Sequence, residues 1–139
     1  MIYQIVNPLN GVNIIQNANV VKTTDLEKNE YPDSSMEEIF IDEALSYMTN
    51  EAEFQSVIQF ALAKLRLGGS ITITDLDLNV LCQETLQKKD KNRFNGLVNH
   101  KRYIHSWRDV KKIVATYSNI RVESVKIDGT YYIVRCTKI

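Results

Sequence analysis

The chain has 139 residues, of which 44% are hydrophobic, and this length accommodates one domain, residues 1–139, with a sizeable core. Its 17 basic residues balance 17 acidic ones, so no overall charge would concentrate nucleic acid or an acidic substrate. No segment is apolar enough to span a membrane, and the first ten residues lack a secretory signal pattern, so we expect a cytoplasmic protein.

The sequence contains few residues of the kind that catalytic or metal sites use. Cys82 and Cys136 form no C-x-x-C pair, and we expect reduced thiols rather than a disulfide. No H-E-x-x-H, G-x-S-x-G or phosphate-binding loop is present, so no metal site is predicted. His100 and His105 are predicted to lie at the surface or in loops rather than to act as ligands or bases.

The N-terminal part of the chain predicts two short strands. Residues 2–6 are apolar enough for a strand, and a loop rich in asparagine follows. Residues 12–19 give no convincing helix. Residues 19–24 predict the second strand, which would end at Asp25 and Leu26.

The middle of the chain predicts one β-strand, α-helix, β-strand unit. Ile39, Phe40 and Ile41 indicate a strand covered on both faces. Asn50 can cap the following helix, which Gly68-Gly69 should end before a strand at residues 71–75. Strands joined in this way are parallel, with a right-handed crossover. The helix face predicted to pack on the sheet contains Phe54, Val57, Ile58, Ala61, Leu62 and Leu65, and the face predicted to contact water contains Glu53, Gln55, Gln59 and Lys64.

The C-terminal part predicts two more helices and a hairpin. Residues 78–87 form the first helix, and Ser106 caps the second. Strands at residues 121–127 and 130–137 flank Asp128-Gly129, a strong two-residue turn signal. Between the helices, the charged residues 88–93 are typical of a solvated loop. Together with the basic and aromatic residues that follow, they could instead bind a phosphate-bearing or nucleic-acid partner; those residues are Phe94, His100, Lys101, Arg102, Tyr103 and Trp107.

The order of these motifs resembles the class I, Rossmann-like methyltransferases that use S-adenosylmethionine. The matching residues are PDSSMEEIFIDEAL, a helix, and then AKLRLGGSITITDLD, with Leu67 where the family has a proline. The last helix and two strands also resemble the end of that domain. The resemblance implies an α/β fold: a Rossmann-like three-layer sandwich whose mostly parallel sheet is closed by an antiparallel hairpin, reduced in its N-terminal half.

The resemblance also implies a cofactor site for S-adenosylmethionine. The family's glycine-rich loop should follow the first strand, where only Gly11 remains. The acidic residue that ends the family's second strand and holds the ribose hydroxyls has no counterpart that can be placed in this sequence. Asp25 and Leu26 match the pair that meets the adenine, although Asp25 could equally start a turn. The candidate residues of the first loop are Asn7, Pro8, Leu9, Asn10 and Gly11.

A second group of candidates follows the buried strand of the middle unit. Asp42, Glu43 and Ala44 stand where ligands bind in open parallel sheets, and carboxylates there would favour a sulfonium cation. The alternative is that the two acids only complement the dipole of a helical turn. Tyr47 and Met48 could line the same pocket or belong to the core.

The resemblance implies a minimal methyltransferase with an unknown acceptor. No catalytic residue is assigned, because transfer from a sulfonium mainly needs alignment and exclusion of water. The tetrapeptide of DNA amino-methyltransferases is replaced here by DEAL, which argues against that mechanism. The shortened first loop favours a homo-oligomer, with a dimer preferred. The alternative is a methyltransferase-like interaction or structural subunit that no longer binds the cofactor.

Overall fold

The computed structural model describes residues 1–8, 14–28 and 31–139. Two 3₁₀ helices, which we call the first and the second, span Thr23–Lys28 and Leu45–Tyr47. The strands are β1 (Ile2–Val6), β2 (Asn19–Lys22), β3 (Met36–Asp42), β4 (Leu65–Leu76), β5 (Ile120–Asp128) and β6 (Tyr131–Lys138). The α-helices are α1 (Glu51–Lys64), α2 (Leu78–Lys88), α3 (Lys91–Val98) and α4 (Trp107–Val114).

All six strands form one sheet in the order β2-β1-β3-β4-β6-β5. The pairs β2–β1, β1–β3 and β3–β4 are parallel, whereas β6 runs antiparallel to both β4 and β5. The predicted α/β class, the parallel middle unit and the closing hairpin are confirmed. The carboxyl ends of β1, β2, β3 and β4 therefore lie along one edge of the sheet, where this kind of fold binds ligands.

Helix α1 forms as its local sequence predicts. The Asn50 side chain accepts a hydrogen bond from the Glu53 backbone N–H at 2.9 Å, which satisfies one of the free donors at the helix start. Spacing of three and four residues then places the apolar side chains on one face, against the sheet. The buried residues of α1 are Phe54, Val57, Ile58, Ala61 and Leu62.

The predicted boundary between α1 and β4 is wrong. The helix ends at Lys64, and the glycine pair lies inside β4 instead of ending the helix. Leu65 pairs with Met36, whereas Ser70 pairs with Glu38, so the residues between Leu65 and Ser70 bulge out of the ladder. Gly68 has φ 78°, and a Cβ on Gly69 would lie 2.8 Å from Leu65 Cδ1. Both glycines are therefore required by the bulge.

The two faces of the sheet differ in their cover. On one face, Ile39, Ile71 and Val134 are buried in a core completed by α1 and α4. On the other face, Phe40 and Thr72 remain partly exposed, so the prediction that β3 is covered on both faces is wrong for Phe40. The alternation of side chains along the strands explains the contrast, since neighbouring residues point to opposite faces.

Three other local predictions need correction. The second strand ends at Lys22, because Thr23 already begins the first 3₁₀ helix. The hairpin turn is Gly129-Thr130, since Asp128 pairs with Tyr131, and Gly129 has the positive φ, 61°, that this turn needs. The charged segment continues into α3, whose cap is the Asp90 side chain accepting from the Arg93 backbone N–H at 3.0 Å.

The predicted state of the cysteines is confirmed. Cys82 is exposed and Cys136 is buried, and both are free thiols. Burial raises the pKa of Cys136 to about 11, so this thiol stays protonated at neutral pH. Within the described residues, no helix has the length and apolar character needed to cross a membrane.

Candidate functional site

A pocket of about 690 Å³ lies at the carboxyl ends of β1, β2 and β3, on the side of α1. Its volume is in the range of pockets that hold drug-sized ligands and cofactors. The described residues that line it are Asn7, Thr23, Thr24, Leu26, Tyr47, Met48, Glu53, Ser56, Val57 and Phe60.

One wall of the pocket is a single face of α1. Glu53, Val57 and Phe60 lie four and seven residues apart, so helical geometry aligns them on one side. Val57 also belongs to the buried core, so this face adjoins the residues of α1 that pack on the sheet. The wall combines an exposed carboxylate at its start with a partly buried aromatic ring at its end.

The opposite side of the pocket is polar. Asn7 follows β1, is buried, and donates from Nδ2 to the hydroxyl oxygen of Thr23 at 3.2 Å. Thr23 stands at the start of the first 3₁₀ helix, directly after β2. This hydrogen bond ties together the carboxyl ends of two parallel strands, and it places amide and hydroxyl groups at the pocket.

Beside the pocket, Lys101, Asp75 and Glu43 form a charge cluster that packs against the second 3₁₀ helix. Lys101 Nζ lies 3.5 Å from Asp75 Oδ1 and 3.9 Å from Glu43 Oε1. The side chain of Lys101 is only 5% exposed and that of Asp75 is 0% exposed. Nζ also lies 5.3 Å from the centre of the Tyr47 ring, which separates this charge cluster from the pocket.

The backbone of Ser46 connects the charge cluster to the segment before α4. Its backbone N–H donates to Asp75 Oδ2 at 2.9 Å. Its carbonyl accepts from the N–H groups of Arg102 and Tyr103 at 2.8 and 2.9 Å. The segment before α4 is thereby pinned over the ends of β3 and β4. Among the described residues, two buried side-chain atoms have no hydrogen-bond partner, and both belong here: Ser46 Oγ and Lys101 Nζ.

Two neighbouring groups titrate away from their ordinary ranges. Burial raises the pKa of Asp42, although its hydrogen bond from Gln4 Nε2, 2.8 Å long, opposes the rise. Burial and the nearby Glu43 carboxylate raise the pKa of Tyr131 to about 12. The Tyr131 hydroxyl donates to that carboxylate, so it stays protonated at neutral pH.

The C-terminal helix is anchored beneath the charge cluster by buried polar groups. Asp77 accepts from Asn79 and Val80 at the start of α2, and its second oxygen accepts from the Trp107 N–H at 3.0 Å. His105 lies in the loop before α4, in agreement with the predicted surface or loop position, but it is buried, and its Nε2 accepts from the Tyr132 hydroxyl. Because Nδ1 donates to the Tyr103 carbonyl at 3.0 Å, both ring nitrogens have structural partners.

Comparison with solved structures shows which proteins share this architecture. No family model and no curated protein matches the chain. A methyltransferase from Methanosarcina mazei superposes with a TM-score of 0.64 at 9% identity, covering 99% of this chain and 81% of that one. A possible histamine N-methyltransferase from Thermotoga maritima gives 0.58 at 15% identity, covering 88% of this chain and 65% of that one. Both are described as dependent on S-adenosylmethionine.

The chain has the Rossmann-like methyltransferase fold. An O-methyltransferase family protein from Burkholderia thailandensis also superposes, with a TM-score of 0.62 at 15% identity, covering 87% of this chain. The chain spans 36% of the Burkholderia protein and 65% of the Thermotoga protein, which is less than two thirds of either. At these identities the likeness concerns the fold.

Within the methyltransferase fold, some residues predicted from the sequence come together at the pocket. Asn7, Leu26, Tyr47 and Met48 line it. Pro8 is exposed, and Asp25 lies in the first 3₁₀ helix without being among the described lining residues. The predictions on Leu9, Asn10 and Gly11 lie outside the described residues.

The candidates after β3 lie beside the pocket rather than in its described lining. Asp42 is bonded to Gln4, Glu43 belongs to the charge cluster with a positive φ of 49°, and Ala44 is fully buried. Their role as cofactor ligands stays a prediction.

Sequence reasoning did not place Glu53 and Phe60 at the pocket. It also did not place Asp75 and Lys101 together in the charge cluster. Asp75 could have been noticed, because it continues the buried alternation of Ile71 and Ile73.

Proposed function

We propose that this chain binds S-adenosylmethionine in the pocket beside α1 and transfers its methyl group to an acceptor. The observation that carries the proposal is the pocket itself. It opens at the carboxyl ends of β1, β2 and β3, where parallel sheets of this fold bind ligands, and its volume of about 690 Å³ suits a nucleoside-containing cofactor.

The chemistry of the lining fits the two parts of such a cofactor. Leu26, Tyr47 and Phe60 supply the apolar and aromatic surface on which a purine base packs. Asn7 and Thr23 supply polar groups for the amino-acid part. The carboxylates of Asp42 and Glu43 lie close by and favour a positive charge at this edge.

When bound, the cofactor supplies a methyl group on a positively charged sulfur. The residues of this chain would orient it and exclude water, and no general base is assigned. Alignment alone can supply a large part of the rate enhancement in such a transfer. The proposal names no acceptor, since one similar protein is named for methyl transfer to nitrogen and another for methyl transfer to oxygen.

The test is calorimetric titration of the purified chain with S-adenosylmethionine and with S-adenosylhomocysteine. We expect saturable binding of about one ligand per chain and a rise in melting temperature, because a ligand that binds only the native state stabilises it. Absence of both effects at millimolar ligand would overturn the proposal. The chain would then serve as an interaction or structural subunit that has lost the cofactor.

The expected homo-oligomer, with a dimer favoured, stays a prediction, as does the single domain. Sedimentation of the free and ligand-bound chain measures the first. A species with the mass of one 16.0 kDa chain in both states would contradict it.

The cytoplasmic location also stays a prediction. A nucleic-acid partner for the basic and aromatic segment also stays a prediction.

A further inference from the structure

The α1 wall of the pocket presents a carboxylate to a ligand bound there. Glu53 is the one carboxylate among the described lining residues. It stands in the first turn of α1, exposed at the edge of the pocket. An exposed carboxylate usually contacts only water. It can act as a binding group when its orientation is fixed by the protein.

Glu53 is held at both of its ends. Its carboxylate oxygen Oε2 accepts from the Thr49 backbone N–H at 2.9 Å. Its own backbone N–H donates to the Asn50 side chain at 2.9 Å. Hydrogen bonds from Thr49 lower the pKa of Glu53, so the group is ionised at neutral pH. A carboxylate has about four acceptor positions, and it can therefore accept further hydrogen bonds in a fixed orientation.

The spacing along α1 suits a nucleoside. Phe60 follows Glu53 by seven residues, two helical turns or about 10 Å. A purine base that packs on Phe60 would bring its sugar within reach of Glu53 on the same wall of the pocket. Two neighbouring hydroxyls that donate to one carboxylate form a charge-assisted pair, and acidic residues bind ribose in this way in nucleotide-binding sheets.

We propose that Glu53 accepts hydrogen bonds from the vicinal hydroxyls of the cofactor's ribose, from a position on α1 instead of the end of the second strand. The inference rests on the proposed function, and it names the recognised group as a ribose diol. Glu53 is a binding residue in this proposal and takes no part in methyl transfer.

The experiment compares two ligands on three proteins. S-adenosylhomocysteine and its 2′-deoxy analogue are titrated calorimetrically into the wild-type chain, Glu53→Gln and Glu51→Gln. Glu51 is the matched control, since it stands in the same turn of α1 and is not among the described lining residues. Both affinities are measured on the same folded variant, so any loss of stability cancels in their ratio.

We expect the wild-type chain and Glu51→Gln to bind the ribose ligand about tenfold more tightly than the deoxy ligand, as a charged hydrogen bond provides. In Glu53→Gln this preference should fall to about twofold or less. An unchanged preference in Glu53→Gln, or none in the wild-type chain, would overturn the inference and leave the proposed function standing. If the wild-type chain binds neither ligand, the proposed function fails and the inference with it.

Discussion

Tyr47 lies between two regions in which charged groups have opposite environments, one buried and one exposed. On one side, Lys101 and Asp75 are buried together beneath the second 3₁₀ helix. On the other side, Glu53 is exposed at the edge of an open pocket. A buried charge needs its partner to remain buried, whereas an exposed one is free to bind a ligand. The comparison therefore predicts that substitutions in the charge cluster change stability and substitutions in the pocket change affinity.

The largest expected effect is that of Asp75→Ala. This change would leave the buried Lys101 with only the more distant Glu43 carboxylate, 3.9 Å away, and would remove the acceptor of the Ser46 and Leu76 N–H groups. We expect the free energy of unfolding to fall by about 3–5 kcal/mol, measured by urea denaturation. The control is Asp33→Ala, which breaks an ion pair with Lys64 at a side chain that is 71% exposed. It should cost at most about 1 kcal/mol. Equal losses of stability in Asp75→Ala and Asp33→Ala would contradict the contrast between buried and exposed charges.

Lys101→Met should cost less than Asp75→Ala. Asp75 keeps two backbone N–H donors when the lysine is removed, and the methionine fills most of the volume. We expect a loss of about 1–3 kcal/mol in the same measurement. Lys88→Met is the control, because Lys88 is 61% exposed and lies 3.9 Å from Glu84. A larger loss for Lys101→Met than for Asp75→Ala would show that the lysine, not the aspartate, holds the second 3₁₀ helix.

Phe60→Ala tests the pocket side of the comparison. Loss of a ring that packs on a base is expected to cost about 1–3 kcal/mol of binding, so affinity for S-adenosylhomocysteine should fall by about fivefold to a hundredfold. Titration calorimetry measures it. Gln59→Ala, on the exposed side of α1, is the control and should bind normally. Normal binding by Phe60→Ala would place the ligand away from this wall.

The smallest effect is on the pH dependence of stability. The pKa of Tyr131 is raised from 10.0 to about 12 in the folded chain, chiefly by burial. Its contribution to stability is therefore complete below pH 10 and is lost as the pH rises toward 12. Tyr131→Phe should make the loss of stability over this range shallower. Urea denaturation at several alkaline pH values measures it, and an unchanged slope would refute the assignment.

The sequence predicted best where the cause of a structure is local. Helix α1 has its cap, its acidic first turn and its apolar stripe within fourteen residues, and all three formed. The start of β4 was predicted wrongly because the pairing of Leu65 with Met36 joins segments far apart in the chain. At the pocket, Leu26 was found through a family pattern. Phe60 was not assigned to it, since helical periodicity does not show what lies opposite a helix face.

The sequence by itself determined the six strands, the helices α1, α2 and α4, the parallel middle unit and the closing hairpin, because caps, turns and periodicity act over a few residues. Only the tertiary structure decided that Lys101 meets Asp75 inside the protein while Glu53, predicted to face water, borders a pocket. The reason is physical. Whether a charge is buried depends on which distant segments pack around it, and neighbouring residues in the sequence do not specify that packing.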